Sequence, residues 1–436
     1  MIVHFSVQNF RSIKDRVDIS FEKTGLKGLP SNYFASPSKT QLLKTAVLYG
    51  PNASGKSTVL QAFKALEYLV VHSAGFKPDQ SIPPYEPHLL DKGFRKEAVE
   101  LHVVFFGQDS IKYEFNLAFL EKKVIREEMY FYPNGVQSVL YQRSVDKEIK
   151  FGEGYKGAKK AIEKLLLPNQ LFISKASENN VEPLLIPYHF FDQGMMVFPF
   201  LSEDHESNLK RLYARRLAEQ QDSGFTRKLN ALICALDTGI LSVSSKEVDS
   251  HSFKFPDNVP DEIKRKIQED YKYDIKTSHP LYDRGKLVGQ ELFDVEDEST
   301  GTKSLLVIGG IILDSLETGR VLVVDEFEKN LHPSITSYLI SLIHNPLTNP
   351  KNAQLIFATH DISQLANGAF RRDQIWFTEK NEFGATELYA CSDIKGIRTE
   401  NPLDKWYASG KLGATPIIND VDFLIKMQED VLEETE

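Results

Sequence analysis

Thr45-Ala46-Val47-Leu48-Tyr49-Gly50-Pro51-Asn52-Ala53-Ser54-Gly55-Lys56-Ser57-Thr58 is the stretch that decides the fold. TAVLY reads as a buried strand, Gly50 to Ser57 matches GxxxxGK[ST], and Thr58 to Val71 repeats its apolar residues at helical spacing. Strand, phosphate-sized loop and helix follow one another. In such a loop successive backbone N–H groups curl round a phosphate and the helix N-terminus adds its dipole. The expected nucleotide-binding residues are therefore Gly50, Asn52, Ala53, Ser54, Gly55, Lys56, Ser57 and Thr58. Lys56 would span the β- and γ-phosphates, and Ser57 would ligate Mg²⁺. The structural alternative is a glycine-rich turn capped by Ser54.

Downstream, Val321-Leu322-Val323-Val324-Asp325-Glu326 is an apolar run fit for a parallel strand buried on both faces, and it ends in two carboxylates. Asp325 is expected to hold the metal, and Glu326 to orient and deprotonate an attacking water; taken alone, the two acids could equally cap a helix. Gln354-Leu355-Ile356-Phe357-Ala358-Thr359-His360 is a second such strand, with His360 placed to contact a γ-phosphate. Between the loop and these strands, Val99 to Phe106, Ile111 to Phe119, Val124 to Tyr132 and Ser138 to Arg143 alternate with period 2, and Pro133-Asn134-Gly135 supplies a turn. An antiparallel sheet beside the nucleotide strand is expected. Helices are expected over Thr302 to Glu317 and Ser334 to His344, and strands near Ile375 and Glu387.

The chain divides on this reading into an N-terminal half of the ATPase domain (1–153), a mainly helical insertion (154–286) and a C-terminal half (287–436). A coiled-coil arm needs three or four heptads, and the run Glu206 to Gln220 gives barely two before Asp222-Ser223-Gly224 breaks it. The insertion is thus expected to be compact. With 436 residues, 41% hydrophobic, the chain is long enough for two or three packed units. A net charge of -9 gives no global field toward nucleic acid, so any polyanion must be met locally. Two cysteines exclude a disulfide scaffold and a four-cysteine zinc module, which suits a reducing cytosol. The longest apolar run, Leu305 to Leu313, is far short of the roughly 20 residues a bilayer requires. No membrane partner is expected, the localisation expected is cytoplasmic, and the alternating N-terminus reads as a strand rather than a signal peptide.

The order of P-loop, acidic strand and histidine strand resembles the soluble branch of ABC-type ATPases, the heads of the RecF, Rad50, SMC and OLD proteins. The resemblance implies a P-loop NTPase of ABC-ATPase head type, α/β in class, with an antiparallel β subdomain and a helical insertion. It also places a signature motif at Glu298-Ser299-Thr300-Gly301-Thr302-Lys303, where Ser299, Gly301 and Lys303 would act in trans on the γ-phosphate held by a second subunit. The alternative is helix capping by Ser299 or Thr300. Val7-Gln8-Asn9-Phe10-Arg11-Ser12-Ile13 is similar to the opening strand and turn of RecF-like heads. DEFEKNLHP (Asp325 to Pro333), FATHD (Phe357 to Asp361), RRDQIWFTEK (Arg371 to Lys380) and KWYASGKLGATP (Lys405 to Pro416) resemble the AAA15/AAA21 ATPases linked to abortive infection, the RloA- and AbiL-type proteins among them. STGTK departs from the LSGGQ of transporters. The glutamine that usually completes the metal shell has two candidates, Gln142 and Gln170.

What the resemblance implies is an ATPase, with ATP as substrate and Mg²⁺ as cofactor, forming a homodimer or higher even oligomer. It would control an operon-encoded effector such as a Toprim-type nuclease in anti-phage defence, the nuclease being expected on another chain. Two readings stand beside it. One is a RecF- or Rad50-like repair ATPase binding nucleic acid through Lys210, Arg211, Arg215, Arg216, Arg227 and Lys228, residues that otherwise read as a solvated helix face. The other is a non-hydrolysing scaffold that holds a toxin, against which Glu326 argues, since a clamp needs no general base.

Overall fold

The structure is a computed structural model that describes every residue except 146, 222, 237–238, 250–252, 257, 399–400, 417–426 and 428–436. At its centre lies a six-stranded sheet in the order Met195–Phe198, Val321–Val324, Gln354–Ala358, Thr45–Tyr49, Ile375–Lys380, Thr386–Ala390. The first five are parallel and the last is antiparallel. Side chains alternate across such a sheet, and both sides are used. Ala46, Leu48, Val321, Val323, Ile356 and Ala358 enter one hydrophobic core, while Val47, Tyr49, Leu322, Val324, Leu355 and Phe357 enter another. That two-sided burial is why these segments read as unbroken apolar runs.

On the first side lies the P-loop helix, Lys56–His72, with Val59, Leu60, Phe63, Leu66, Leu69 and Val70 buried. Beyond it a seven-stranded antiparallel sheet runs Lys150–Phe151, Ser138–Ser144, Lys123–Phe131, Lys112–Leu120, Val99–Phe106, Ile2–Gln8, Val17–Ser20. Phe5 stacks on Phe63 with ring centroids 3.8 Å apart, joining sheet to helix. The two sheets are also tied at the start of the histidine strand. Gln354 accepts from the Ile2 amide at 2.6 Å and donates to the carbonyls of Ile2 and Leu43, both at 3.0 Å.

The second side carries the helix Thr300–Thr318, whose residues from Ser304 to Leu316 are all buried. A helix apolar all round is a core helix. Its Gly309 and Gly310 admit neighbours closely: a β-carbon at Gly310 would run into the Tyr213 ring. Gly319, at φ 78, ends the helix by donating to the Ser315 carbonyl.

Span 154–286, expected as a mainly helical insertion, carries helices Lys160–Leu165, Phe172–Glu178, Glu182–Asp192, Glu203–Glu219, Gly224–Ala235 and Asp261–Asp270. Two features correct the helical expectation. Met195–Phe198 is a strand of the core sheet, paired in register with Val321–Val324. Ser242–Glu247, Tyr273–Asp283 and Lys286–Asp294 form a three-stranded antiparallel sheet across the expected boundary at 286. Glu203–Glu219 is a single 17-residue helix, and Ser223 caps the next one by accepting from the Thr226 amide. Asp222, in the expected break, and the end of span 287–436 lie outside the described residues. Among the described residues no helix is long and apolar enough to cross a membrane.

The antiparallel sheet is pinned to its helices by Glu127, which is fully buried. Its carboxylate accepts from Tyr141 Oη at 2.8 Å, from the amides of Phe172 and Ile173 at 2.7 and 2.9 Å, and from Arg143 Nη1 at 3.2 Å. Removing one partner of a buried, hydrogen-bonded charge pair strands the others, at about 3–5 kcal/mol. Glu127→Ala is expected to lose stability by that amount in urea unfolding. A loss below about 1 kcal/mol would show that water replaces the carboxylate.

Candidate functional site

Strand register alone gathers the chemistry. Val324 is level with Phe357, Phe357 with Val47, and Ala358 with Leu48. One to three residues further on, the three strands deliver Asp325, His360 and Gly50 to the same edge of the sheet. Ligands of open α/β sheets bind outside the carboxyl ends of the strands.

The loop itself is held by threonines that sequence reasoning missed. Ser54 Oγ lies 2.6 Å from Thr378 Oγ1, and a β-carbon on Gly50 would collide with the Thr378 carbonyl and hydroxyl. Thr386 donates to the Ser54 carbonyl at 2.9 Å and lies 2.9 Å from Ser12 Oγ, which in turn donates to Thr58 Oγ1 at 3.1 Å. Gly55, at φ 114, has no room for a β-carbon against Thr386. Ala53 also takes a left-handed conformation, at φ 62. The two strands that supply this clasp, Ile375–Lys380 and Thr386–Ala390, hold one threonine each, and neither threonine sits in a motif that announces the contact.

Lys56 is 6% exposed and donates to the carbonyls of Gly50 and Pro51 at 2.9 and 3.1 Å. Burial lowers its pKa, opposed by the charges of Asp325, Glu328 and Glu326. Burial raises the pKa of Asp325, while hydrogen bonds from Ser57 and from the Glu326 amide at 3.0 Å favour its charged form. Glu326 is exposed with its backbone at φ 49, a conformation costing a non-glycine residue about 1–2 kcal/mol. Its strain sits where a general base is expected. The His360 pKa is lowered, first by burial and then by Lys56, against the carboxylates of Glu328, Glu326 and Asp325. A neutral imidazole at pH 7 follows from that direction.

Glu328 is a further residue of this cluster. Its Oε1 accepts from the His360 amide at 2.8 Å, so it pins the histidine loop, and its Oε2 is buried with no hydrogen-bond partner among the described residues. Asp361 accepts from the Ser363 amide at 2.9 Å and from Gln364 at 2.7 Å, while its carbonyl accepts from Tyr49 Oη at 3.1 Å. In FATHD, His360 is thus followed by an aspartate that holds the next turn.

A cavity of about 1040 Å³ opens beside the loop, lined by Gly50, Pro51, Asn52, Ser54 and His360 on one wall. Glu379, Lys380 and the segment Tyr407 to Gly410 make the other. Tyr407 stacks on Phe377 with centroids 5.6 Å apart and donates to the Ala414 carbonyl at 2.9 Å, and Glu379 accepts from the Ala414 amide at 2.9 Å. KWYASGKLGATP therefore builds a wall of the site. RRDQ is architectural: Arg371 and Asp373 form a buried pair at 2.9 Å that grips the carbonyls of Leu26 and Gly28 and the Thr24 amide.

Ser299, Gly301 and Lys303 do not line this cavity. Ser299 caps the helix Thr300–Thr318 by accepting from the Thr302 amide at 3.1 Å. A β-carbon on Gly301 would lie 3.1 Å from the Asn330 carbonyl, and Lys303 donates to the Glu296 carbonyl at 2.9 Å. Neither glutamine candidate belongs to the site. Gln142 donates to Tyr130 Oη at 2.8 Å in the antiparallel sheet, and Gln170 donates to the carbonyls of Ala74 and Phe76 beyond the far end of the P-loop helix. The strand end beside Asp325 is Phe198, whose carbonyl accepts from the Asp325 amide at 3.1 Å, and it continues as Pro199-Phe200-Leu201-Ser202 without a glutamine.

The donor set fits Mg²⁺, which typically takes one or two carboxylates, a hydroxyl and substrate phosphate oxygens rather than an all-protein cage. Asp325 and Ser57, hydrogen-bonded to each other, are such a pair, and no cluster of three or more metal-binding side chains exists among the described residues.

A family model described as "AAA domain, putative AbiEii toxin, Type IV TA system" matches residues 46–366. No curated protein matches the chain. Solved structures similar to it include an Smc head bound to the C-winged helix domain of ScpA, at 11% identity and TM-score 0.43, covering 89% of this chain and 97% of that one. Another is an Smc head with an extended coiled coil bound to the C-terminal domain of ScpA from Pyrococcus furiosus, at 12% and 0.39, covering 94% and 98%. A third is the recombination mediator RecF, in a structure titled RecF-ATPrS, at 12% and 0.36, covering 89% and 98%. With the family model spanning most of its length, the chain belongs to the AAA21 family of AAA domains.

Proposed function

We propose that the protein is an ATP-hydrolysing dimeric switch that controls a partner effector, in the setting of anti-phage abortive infection. The observation that carries the reading is the convergence of Lys56, Ser57, Asp325, Glu326 and His360 at one sheet edge, where only His360 of the five lines the neighbouring cavity, while Ser299 caps its own helix by accepting from the Thr302 amide. A catalytic set without its signature helix is half a site, and a second copy supplies the other half. The family's printed description, a toxin of a type IV toxin–antitoxin system, supports a role in defence.

Each residue has work in that reaction. Lys56 exchanges the carbonyls of Gly50 and Pro51 for the β- and γ-phosphate oxygens, trading neutral acceptors for charged ones. Ser57 and Asp325 would hold Mg²⁺, which would supply charge neutralisation at the phosphates. Glu326, exposed beside Asp325, takes the proton from the attacking water. His360, neutral, meets the γ-phosphate by hydrogen bonding, and its loop is kept in place by Glu328. Loss of the γ-phosphate removes the group that bridges the subunits, so hydrolysis opens the dimer.

The repair-ATPase reading finds less support. Lys210 is paired with Glu296 at 2.6 Å, Arg215 with Glu219 at 3.6 Å, Lys228 with Glu317 at 4.0 Å, and Arg216 with Asp314. Arg211 lies 4.6 Å above the Tyr271 ring. A patch already neutralised by its own chain releases few counterions on a phosphate backbone.

Complementation is the test. Lys56→Ala and Ser299→Arg are each expected to lose ATPase activity, and a mixture of the two should recover part of it, because one composite site then has an intact P-loop and an intact signature. If the subunits exchange and the mixture stays inactive, while a crosslinked dimer with one wild-type site is active, Ser299 does not act in trans. Glu326→Gln should bind ATP and slow hydrolysis by at least about 100-fold, leaving a long-lived associated state in light scattering. Bound ATP on dissociated subunits would count against the sandwich.

Glu328 provides a separate check. Glu328→Ala should lower kcat about tenfold with ATP binding near the parental level, since the His360 amide loses its acceptor. Glu328→Gln keeps an acceptor oxygen and most of the rate. Either change removes a negative charge that raises the imidazole pKa, so the acid limb of the kcat profile should move to lower pH. Parental rates and an unmoved profile in both variants would remove Glu328 from the mechanism.

A further inference from the structure

The three-stranded sheet has an open edge. Lys286–Asp294 pairs on one side with Tyr273–Asp283, and every one of its nine residues is exposed. The helix Glu203–Glu219 packs on the other two strands of that sheet. Proteins usually blunt such an edge with charges, proline or a bulge, because its unpaired N–H and C=O groups template another strand. This strand has Lys286, Glu291 and Asp294 and its pairing is bulged at Leu281/Tyr282, yet it also exposes Leu287, Val288, Leu292 and Phe293, at 66, 57, 43 and 43%.

The sequence of the strand, Lys-Leu-Val-Gly-Gln-Glu-Leu-Phe-Asp, is complementary to itself when reversed. Laid antiparallel on a second copy with Gln290 at the midpoint, Lys286 meets Asp294, Leu287 meets Phe293, Val288 meets Leu292, Gly289 meets Glu291 and Gln290 meets its own counterpart. Opposed residues then have equal parity, so each pair shares one face of the sheet. Opposite charges and apolar pairs are the combinations that stabilise antiparallel neighbours, and no like charges face each other. Asp294 already holds Lys276 of its own chain, so the incoming Lys286 is a second cation on that carboxylate. A two-fold contact requires the same patch on both subunits.

We propose that the edge strand Lys286–Asp294 is a homotypic interface, pairing antiparallel with the same strand of a second copy about Gln290 to give a continuous six-stranded sheet. It uses no nucleotide-binding residue, so it forms in the absence of ATP and is a different contact from the ATP-bridged one.

Disulfide crosslinking reads the register directly. Cys391 is buried and Cys234 exposed, so Cys234→Ser provides the background. In that background, without nucleotide and under mild oxidation, Gln290→Cys is expected to give a covalent dimer as the main product on a non-reducing gel. Directly opposed residues lie about 4.5–5.5 Å apart, within reach of a disulfide. Lys286→Cys should give almost none, because its counterpart would lie eight residues along the strand, roughly 27 Å away. Adding Val288→Lys to Gln290→Cys should cut the dimer fraction at least about tenfold by setting an ammonium against Leu292. All these positions are exposed, so the fold is retained, and a matching circular dichroism spectrum checks it. Equal crosslinking at positions 286 and 290, no crosslinking at 290, or no effect of Val288→Lys would each overturn the proposal. Because no nucleotide is present, failure here leaves the ATP-dependent dimer standing, and failure of that dimer leaves this contact standing.

Discussion

Burial of the central sheet on both faces is the constraint from which the rest follows. With apolar side chains packed above and below Thr45–Tyr49, Val321–Val324 and Gln354–Ala358, the strands can present polar chemistry only at their ends. Parallel pairing then makes all carboxyl ends share one edge, and the register sets them level. Gln354 and Lys44 serve the opposite edge. Lys44, 2% exposed, donates to the His344 carbonyl at 2.8 Å, and His344 lies 3.0 Å from Thr45 Oγ1 with its pKa pushed down by burial to about 3. One edge is sealed by neutral or internally satisfied groups, and the other is left charged.

At the charged edge, desolvation acts on Lys56, Asp325 and His360 in the same sense. It lowers Lys56 and His360 and raises Asp325, so each is pressed toward its neutral form. Mutual attraction between Lys56 and the three carboxylates is what opposes that pressure. Such a cluster is costly on its own and favourable once a polyphosphate and its counter-ion enter, which is the condition for differential binding. The left-handed backbone of Glu326 and the partnerless oxygen of Glu328 lie within four residues of each other at this point.

What could be read in the amino-acid sequence divides along the same line. Gly50 to Ser57, Val321 to Glu326 and Gln354 to His360 were legible because two-sided burial and phosphate geometry each demand unusual residue patterns. The antiparallel strands from Val99 to Arg143 were legible through their period of two. Met195–Phe198 was not, since four residues between a helix and Pro199 carry too short a pattern to separate a strand from a loop. Thr378 and Thr386 were invisible for another reason: they act through contacts made 324 or more positions away in the chain. The three-stranded sheet was missed because its outer strand is wet on both faces and so lacks the apolar alternation of a half-buried strand.

Two self-contacts on one chain have a geometric consequence. In the proposed sandwich the nucleotide-bridged contact runs between the P-loop edge and the helix start at Ser299, whereas the proposed strand contact is centred on Gln290, eleven residues before Gly301 and outside the cavity. Each has its own two-fold axis. When the axes differ, subunits alternate between the two contacts along a chain of dimers, which closes into a ring of even number if the angle permits and extends as a filament if it does not. Only one of the contacts depends on ATP. Hydrolysis would then change the assembly in steps of a nucleotide-independent pair rather than of single subunits. The direct link between the two is short: Asp294 is joined to Ser299 through residues 295–298, and Glu298 accepts from Thr277 and lies 2.7 Å from His279 Nε2, both on Tyr273–Asp283, the strand paired with the edge strand.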